Sequence, residues 1–290
     1  MQLTCPAPAK LNLFLHVVGR RPDGYHLLQT LFRFIDLQDT LHFSLREDGA
    51  VHRTNSVEGV AEAQDLSVRA ARLLQSETGC GLGADITIEK RIPMGGGLGG
   101  GSSDAATTLI ALNRLWSLGL SRTRLMELGL RLGADVPVFI FGENAFAEGV
   151  GERLQAFPLP EAWYVVLFPP VQVPTAQIFA HPELTRNADS ITMRALSERQ
   201  SGDERQFRND LQPVVCRLYP EVARYIASLN NLRIGNGSGK AMMTGSGACV
   251  FAEFGSRKQA ETVLKHLPQG MRGVVAQGLA RHPLHDWVPD

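Results

Sequence analysis

The stretch PMGGGLGGGSSDAA, Pro93 to Ala106, sets six glycines around one leucine and follows them with two serines, an aspartate and two alanines. The run TTLIALNRLW after it (Thr107 to Trp116) spaces its apolar residues as a helix does, and ADITIEK before it (Ala84 to Lys90) reads as a strand. A strand, a glycine-rich turn and a helix N-terminus in succession make an anion site. Glycine reaches positive φ and lets a ligand approach the backbone. The unpaired N–H groups and the positive dipole end of the helix then favour phosphate. Pro93, Met94, Gly95, Gly96, Gly97, Leu98, Gly99, Gly100, Gly101, Ser102, Ser103 and Asp104 are therefore the expected nucleotide cradle, with the two hydroxyls where a polyphosphate or its metal would sit.

Other phosphate loops fit less well. Gly95, Gly97 and Gly100 satisfy the spacing of a dinucleotide fingerprint, but that fingerprint needs a carboxylate about twenty residues on, where LWSLGLSRTR (Leu115 to Arg124) has none. The companion motifs of a protein kinase are absent. GNGSGKA at Gly235 to Ala241 is one spacer short of a Walker A motif, ends in alanine, and reads as a surface turn.

The rest of the chain mixes helices and strands without regular βαβ alternation, which predicts an α+β fold. Strands are expected over 2–18, 30–46, 84–90, 163–168 and 274–278, with a strand–turn–strand over 242–254. Helices are expected over 65–75 with Asp65 as cap, over 122–132 capped by Ser121, over 207–219 and 221–229 split by Pro220, and over 257–266. Residues 134–141 read as short and partly extended. At 290 residues and 44% hydrophobic content the chain can bury a large core, and 29 basic residues against 29 acidic leave no basic field for nucleic acid. Four scattered cysteines without metal spacing read as reduced thiols. No signal peptide and no membrane-length apolar run is visible, so a cytoplasmic protein is expected.

Lys10 and Asn12 in PAPAKLNLFLHV occupy alternate positions of a strand and so share a face. Asp135 in LGADVPVF follows a helix and precedes a proline, which leaves it open between a turn residue and a catalytic base. Tyr25 and His26 follow the PDG turn at Pro22 to Gly24. That pair suits a nucleobase, one ring stacking and the other hydrogen-bonding, or else a packed ring beside a solvated histidine.

Taken with RPDGYHLLQTLF (Arg21 to Phe32), AFAEGVGE (Ala145 to Glu152) and TGSGACVFAEF (Thr244 to Phe254), these motifs resemble the GHMP kinase superfamily. Within it they most resemble the family that phosphorylates 4-diphosphocytidyl-2-C-methyl-D-erythritol in non-mevalonate isoprenoid synthesis. The resemblance runs from about residue 5 to residue 255. It implies a two-domain fold with the site in the cleft, divided here as an ATP-binding part (1–155) and a substrate-side part (156–290). It implies ATP as co-substrate with Mg²⁺, and small-molecule partners only. Asp135 becomes the base and Lys10 its neighbour, the two catalytic residues. Lys90, Asp65 and Leu66 fall on the adenine side, though the family often has Asn at 65 and Asp cannot donate. Asn12, Tyr25, His26, Thr175, Phe179 and the turn Gly245, Ser246, Gly247 fall on the acceptor side. Candidate magnesium ligands are Ser102, Ser103, Asp104, Glu143 and Glu148, and spacing does not choose among them. RPDGYH separates the chain from homoserine and mevalonate-type kinases, whose acceptors carry no base. Lys10 and Asp135 together separate it from a catalytically inactive nucleotide sensor.

Overall fold

The computed structural model describes residues 1–197, 207–233 and 240–290, so the turn expected at Gly235 to Ala241 lies largely outside the described residues. The chain opens with a long antiparallel hairpin, β1 (Gln2–Arg20) and β2 (His26–Arg46), closed by the PDG turn with Gly24 at φ 91°. There follow β3 (Val51–Arg53), α1 (Leu66–Thr78), β4 (Gly83–Glu89), α2 (Gly100–Leu115), α3 (Arg122–Leu132), α4 (Val136–Phe141), β5 (Ala145–Glu148) and β6 (Arg153–Ala156). Their strands form a sheet in the order β3-β4-β2-β5-β6, with β1 on the other edge of β2. The remainder is β7 (Trp163–Leu167), α5 (Thr175–Ala180), α6 (Met193–Ser197), α7 (Gln212–Leu218), α8 (Pro220–Arg233), β8 (Met242–Met243), β9 (Val250–Phe254), α9 (Arg257–Lys265) and β10 (Gly273–Gln277). Its strands form a second, antiparallel sheet in the order β10-β7-β9-β8. The α+β class expected from the sequence is the class observed.

One irregularity in the hairpin positions the site. The pairing slips between Pro8↔Gln38 and Ala9↔Ile35, and the buried side chains change layers there. Cys5 and Ala7 pack with the helices α1 to α4, whereas Ala9, Leu11 and Leu13 pack between the two sheets against Tyr164, Val166 and Phe251. A strand alternates its faces, so Lys10 and Asn12 point away from that inter-sheet layer. Further along β1, Leu15 and Val17 join a third apolar cluster with α7, α8 and β9. One strand thus contributes to all three cores. Cys5 and Cys249 are buried free thiols, pushed up to about 12 by desolvation, and act as core side chains. Among the described residues no helix is long and apolar enough to cross a membrane.

Two expectations need correction. Residues 136–141 are helical, not partly extended. Val136 to Ile140 are all buried, so no polar face marks the period, and Pro137 sits in the first turn where its missing N–H costs nothing. The helix expected from Phe207 begins at Gln212 because the preceding backbone pairs with β1 instead. Leu15 N donates to Arg208 O, Asp210 N to Leu15 O, and Val17 N to the Asp210 carboxylate. Pro220 does not merely divide two helices; it is the first residue of α8.

The C-terminal segment returns to the first sheet. Leu284 and Val288 are buried among the α1–α4 side chains. The Arg122 guanidinium, on α3, donates to Ile140 O (2.9 Å), His285 O (3.0 Å) and Val288 O (2.9 Å), and its Nε meets Asp290 at 2.8 Å. Arg122→Ala leaves these carbonyls without donors and should cost about 2–4 kcal/mol. Asp290→Asn, at a carboxylate 92% exposed, should cost less than about 1 kcal/mol. Urea unfolding midpoints separate the two; equal losses would make the ion pair, not the carbonyl cradle, the tether.

Candidate active site

The glycine loop leaves β4 and enters α2 with Gly95, Gly97 and Gly99 at φ 68°, 76° and 75°. Gly99 caps α2 without a side-chain hydrogen bond, so the first N–H groups of a 16-residue helix face the loop's concave side unpaired. The loop is stitched at both flanks: Lys10 N donates to Leu98 O at 3.0 Å and Cys249 N to Gly96 O at 3.1 Å. Its closest neighbour is the second glycine turn. A Cβ on Gly97 would lie 2.2 Å from Thr244 O, and one on Gly245 would lie 2.9 Å from Gly97 O. A Cβ on Gly99 would meet Phe139 at 2.9 Å and Lys10 Cε at 3.2 Å. Glycine at 97 and 99 is thus required by the protein's own packing, before any ligand is considered.

Around this seam opens a cavity of about 1000 Å³, lined by every catalytic, nucleotide-side and acceptor-side residue expected from the sequence except Ser103; of the magnesium candidates, Glu143 and Glu148 also lie outside its lining. Ser103 is fully buried and donates its hydroxyl to Pro8 O at 2.7 Å, so it ties α2 to β1 and is no part of the cradle. In the middle of the cavity Lys10 Nζ stands 3.2 Å from Asp135 Oδ2, the lysine 3% and the aspartate 38% exposed. Lys10 is held by Asn12 Oδ1 at 2.6 Å and lies over the Phe32 ring. Asn12 also donates its amide to Thr30 at 2.9 Å, and its backbone N–H to Thr244. The expected bond from Asn12 to a substrate hydroxyl therefore gives way to another role: both ends of its amide are engaged, and it aims Lys10.

Two adenine-side assignments change as well. Lys90 is clamped between Asp39 and Asp104, 2.7 Å from the latter. Asp39, fully buried, also accepts the N–H groups of Arg91 (2.5 Å) and Ile92 (2.8 Å). The cluster fastens the start of the loop to α2 through Asp104. Burial works against the Lys90 charge, but Asp104 and Asp39 carry its pKa above the usual lysine value. Burial likewise raises the Asp104 carboxyl, against the pull of Lys90. Asp65 is engaged twice, capping α1 through Ser67 N (2.8 Å) and pairing with Arg53 Nη1 (2.6 Å). Each of its two oxygens already accepts a bond from the protein, and Leu66 remains beside it on the cavity wall.

The magnesium candidates thin out on inspection. Ser103 is engaged as described, Asp104 gives Oδ2 to Lys90 and leaves Oδ1 without a partner among the described residues, Glu148 accepts from Gln29 at 2.9 Å, and Glu143 faces His285 at 3.5 Å away from the cavity. Ser102 lines the cavity with its hydroxyl unbonded to any described residue. Among the described residues no cluster of three or more His, Cys, Asp or Glu could hold a metal. A cation here would be carried mainly by phosphate and water, as Mg²⁺ commonly is.

At the other end the His26 and Phe179 rings lie 5.0 Å apart, tilted by 32°, with Tyr25 64% exposed at the rim. Thr175 and Ser246 bond each other through their hydroxyls at 2.6 Å, joining α5 to the second glycine turn. Arg186, which sequence reading passed over, donates to His26 Nε2 at 3.2 Å. Desolvation lowers the His26 pKa, and the Arg186 and Arg20 charges add to the effect. Thr30, Asp39 and Thr244 were likewise not singled out from the sequence, since the partners that give each its place lie far along the chain.

The glycines allow a test. Gly97→Ala must part the two turns and should lower the thermal midpoint sharply. Gly95→Ala meets only Gln172 at 3.8 Å and carries a backbone strain of roughly 1–2 kcal/mol. Thermal unfolding of both variants reads the difference, and similar midpoints would mean that the seam is not tight.

Comparison with known proteins bears on this geometry. The family of GHMP kinases N terminal domains matches residues 65–143, and the family of GHMP kinases C terminal domains matches residues 182–273. The 4-diphosphocytidyl-2-C-methyl-D-erythritol kinase of Nitrosospira multiformis is 60% identical over 287 residues, 99% of this chain and 95% of its own length. The kinase of the same name from Thiobacillus denitrificans is 59% identical over 290 residues, 100% of both chains. A crystal structure of 4-(cytidine 5'-diphospho)-2C-methyl-D-erythritol kinase superposes with a TM-score of 0.80 at 35% identity, covering 95% of this chain and 99% of that one. Homoserine kinase from Cytophaga hutchinsonii gives a TM-score of 0.66 at 15% identity, over 97% and 95% of the two chains, and shares the fold alone. With identity of this order sustained from end to end, the chain belongs to the 4-diphosphocytidyl-2-C-methyl-D-erythritol kinase family of the ATP-dependent GHMP kinases.

Proposed function

We propose that the chain transfers the γ-phosphoryl group of ATP to the 2-hydroxyl of 4-diphosphocytidyl-2-C-methyl-D-erythritol, in the cytoplasm, as a step of non-mevalonate isoprenoid synthesis. The observation that carries the reading is the Lys10–Asp135 pair, 3.2 Å apart in a cavity with an uncapped helix N-terminus at one end and the His26–Phe179 ring pair at the other. Residues 1–155 form the ATP side, with Tyr25 and His26 reaching across from it, and the rest of the chain forms the substrate side except for the C-terminal segment, where Leu284 and Val288 pack back onto the first part.

The chemistry follows from what these groups can do. The N–H groups of Gly100, Gly101 and Ser102 receive the phosphates. Lys10 holds Asp135 in place through their contact and balances charge on the moving phosphoryl group. Asp135 takes the hydroxyl proton as the new O–P bond forms and the bond between the γ-phosphorus and its bridging oxygen breaks, releasing ADP. Mg²⁺, entering with ATP, would spread the negative charge of the phosphates; the Ser102 hydroxyl is the protein group suited to it. Adenine recognition runs through the backbone near Leu66, since the Asp65 carboxylate is taken by Arg53.

Asp135→Asn keeps the shape and removes the proton acceptor, so kcat should fall by roughly 10²–10⁴-fold while both substrates still bind in calorimetry. Activity within a few-fold of the parent would remove Asp135 from the role. An ATP-consumption assay against a panel of acceptors tests the substrate: the CDP-linked polyol should react, and methylerythritol phosphate, homoserine and mevalonate should react poorly or not at all.

The aromatic end is tested separately. Each stacked ring is worth about 1–3 kcal/mol by analogy with base stacking elsewhere. Tyr25→Ala and Phe179→Ala should therefore each cost about one to two orders of magnitude in kcat/KM for the acceptor. KM for ATP should hardly change. Equal losses for both substrates would move the rings out of the acceptor site.

A further inference from the structure

Arg186 spends its whole guanidinium inside the protein. Nη2 donates to Phe179 O (3.1 Å) and His181 O (2.7 Å), Nη1 to Leu184 O (3.1 Å) and Pro182 O (3.4 Å), and Nε to the ring nitrogen Nε2 of His26 (3.2 Å). A guanidinium has five N–H groups and no lone pair to offer, so each has one acceptor here. Four of these bonds shape the turn that follows α5. The fifth acts on His26, and its direction is fixed: Arg186 can only donate, so His26 Nε2 must present its lone pair.

That bond decides the imidazole's state. With Nε2 as acceptor, a neutral His26 carries its proton on Nδ1. Protonation of the ring is opposed by desolvation and by the two charges that bear on it, Arg186 on the far segment and Arg20 on its own hairpin. Asp23, the acidic residue of that turn, is paired with Arg21 at 2.8 Å. The imidazole lines the cavity beside the Phe179 ring, and its Nδ1–H has no acceptor among the described residues. The pocket thus holds one fixed donor beside an aromatic face.

We infer that Arg186 is a positioning residue that locks His26 in the neutral Nδ1–H tautomer, and that this fixed donor selects cytosine over uracil in the acceptor. The inference rests on the nucleobase reading of this end of the cavity. The two pyrimidines share the O2 acceptor and differ at N3, a lone pair in cytosine and an N–H in uracil, and at C4, an amino group in cytosine and a carbonyl in uracil. A fixed donor held opposite N3 pairs with the first and opposes the second. A tautomerically free histidine would serve either base, because it could turn an acceptor to the uracil N–H.

The test has two readouts on the full-length enzyme. Long-range ¹H–¹⁵N NMR of His26 in the wild type should show Nδ1 protonated and Nε2 bare from pH 6 to pH 8. An Nε2–H ring, or an imidazolium at pH 7, overturns the inference without reference to any variant. Arg186→Met removes the donor and keeps much of the stem. Its His26 should shift toward Nε2–H and titrate at higher pH. The wild-type preference for the CDP-linked over the UDP-linked acceptor should shrink by about tenfold, the worth of one hydrogen bond to the base edge. The change should lie in acceptor KM, with KM for ATP unmoved. Arg186→Lys, which can reach only part of the carbonyl set, should recover folding stability more than preference. If both acceptors weaken equally and the tautomer persists, Arg186 is only a staple of the turn and the inference falls. If the wild type shows no preference between the bases while its tautomer is as described, the nucleobase reading fails and the selection role with it, but the tautomer lock stands.

Discussion

Everything in the site hangs on a place where two backbones touch with no side chain between them. Gly97 from the first glycine turn and Thr244–Gly245 from the second approach so closely that any Cβ would collide. This contact sets the distance between the two sheets at the cavity floor. Backbone and short bonds then radiate from it: Thr244 to Asn12, Asn12 to Lys10, Lys10 to Asp135, Leu98 to β1 and Gly96 to Cys249. Side chains sit in rotamers that thermal motion can change, whereas a backbone seam is stiff. Reacting groups that must hold to a fraction of an ångström are well served by it.

The buried charges at the rim of the cavity follow one rule: each is paired, and each pair joins two segments of chain. Lys90 with Asp39 and Asp104 joins the loop to its helix, and Arg53 with Asp65 joins β3 to the start of α1. Desolvating such groups is expensive, and replacing them with apolar residues of the same shape is often no loss in stability. Their value here lies in orientation: they fix the rim of the cavity and leave the cationic charge of Lys10 as the one facing Asp135.

The fold class and the cavity lining were legible because they rest on local signals. Glycine runs mark positive φ, apolar periods mark α1, α3 and α9, and turn residues mark the hairpin. Family resemblance then picked out Lys10 and Asp135, whose neighbours in sequence say little. What was not legible is whatever depends on a partner distant in sequence. Ser103 looks like a cradle hydroxyl until Pro8 lies beneath it. Lys90 looks like a ligand contact until Asp39 and Asp104 clamp it from two sides. Asn12 looks free until Thr30 and Thr244 occupy its amide. Arg186 carries no pattern at all, since its meaning comes from a histidine 160 positions earlier. The helix α4 was misread for a different reason: burial on every side erases the polar face from which periodicity is read.

The return of the C-terminal segment has a consequence for how the chain comes into being. A ribosome that has released only the first sheet and its helices has released a core lacking Leu284 and Val288, and an Arg122 whose carbonyls at 285 and 288 do not yet exist. The same nascent piece exposes Leu15 and Val17, whose neighbours on α7, α8 and β9 are still to be made. Each half therefore lacks part of its buried lining until the other is present, and the helical layer of the first sheet is completed only by residues from the far end of the chain.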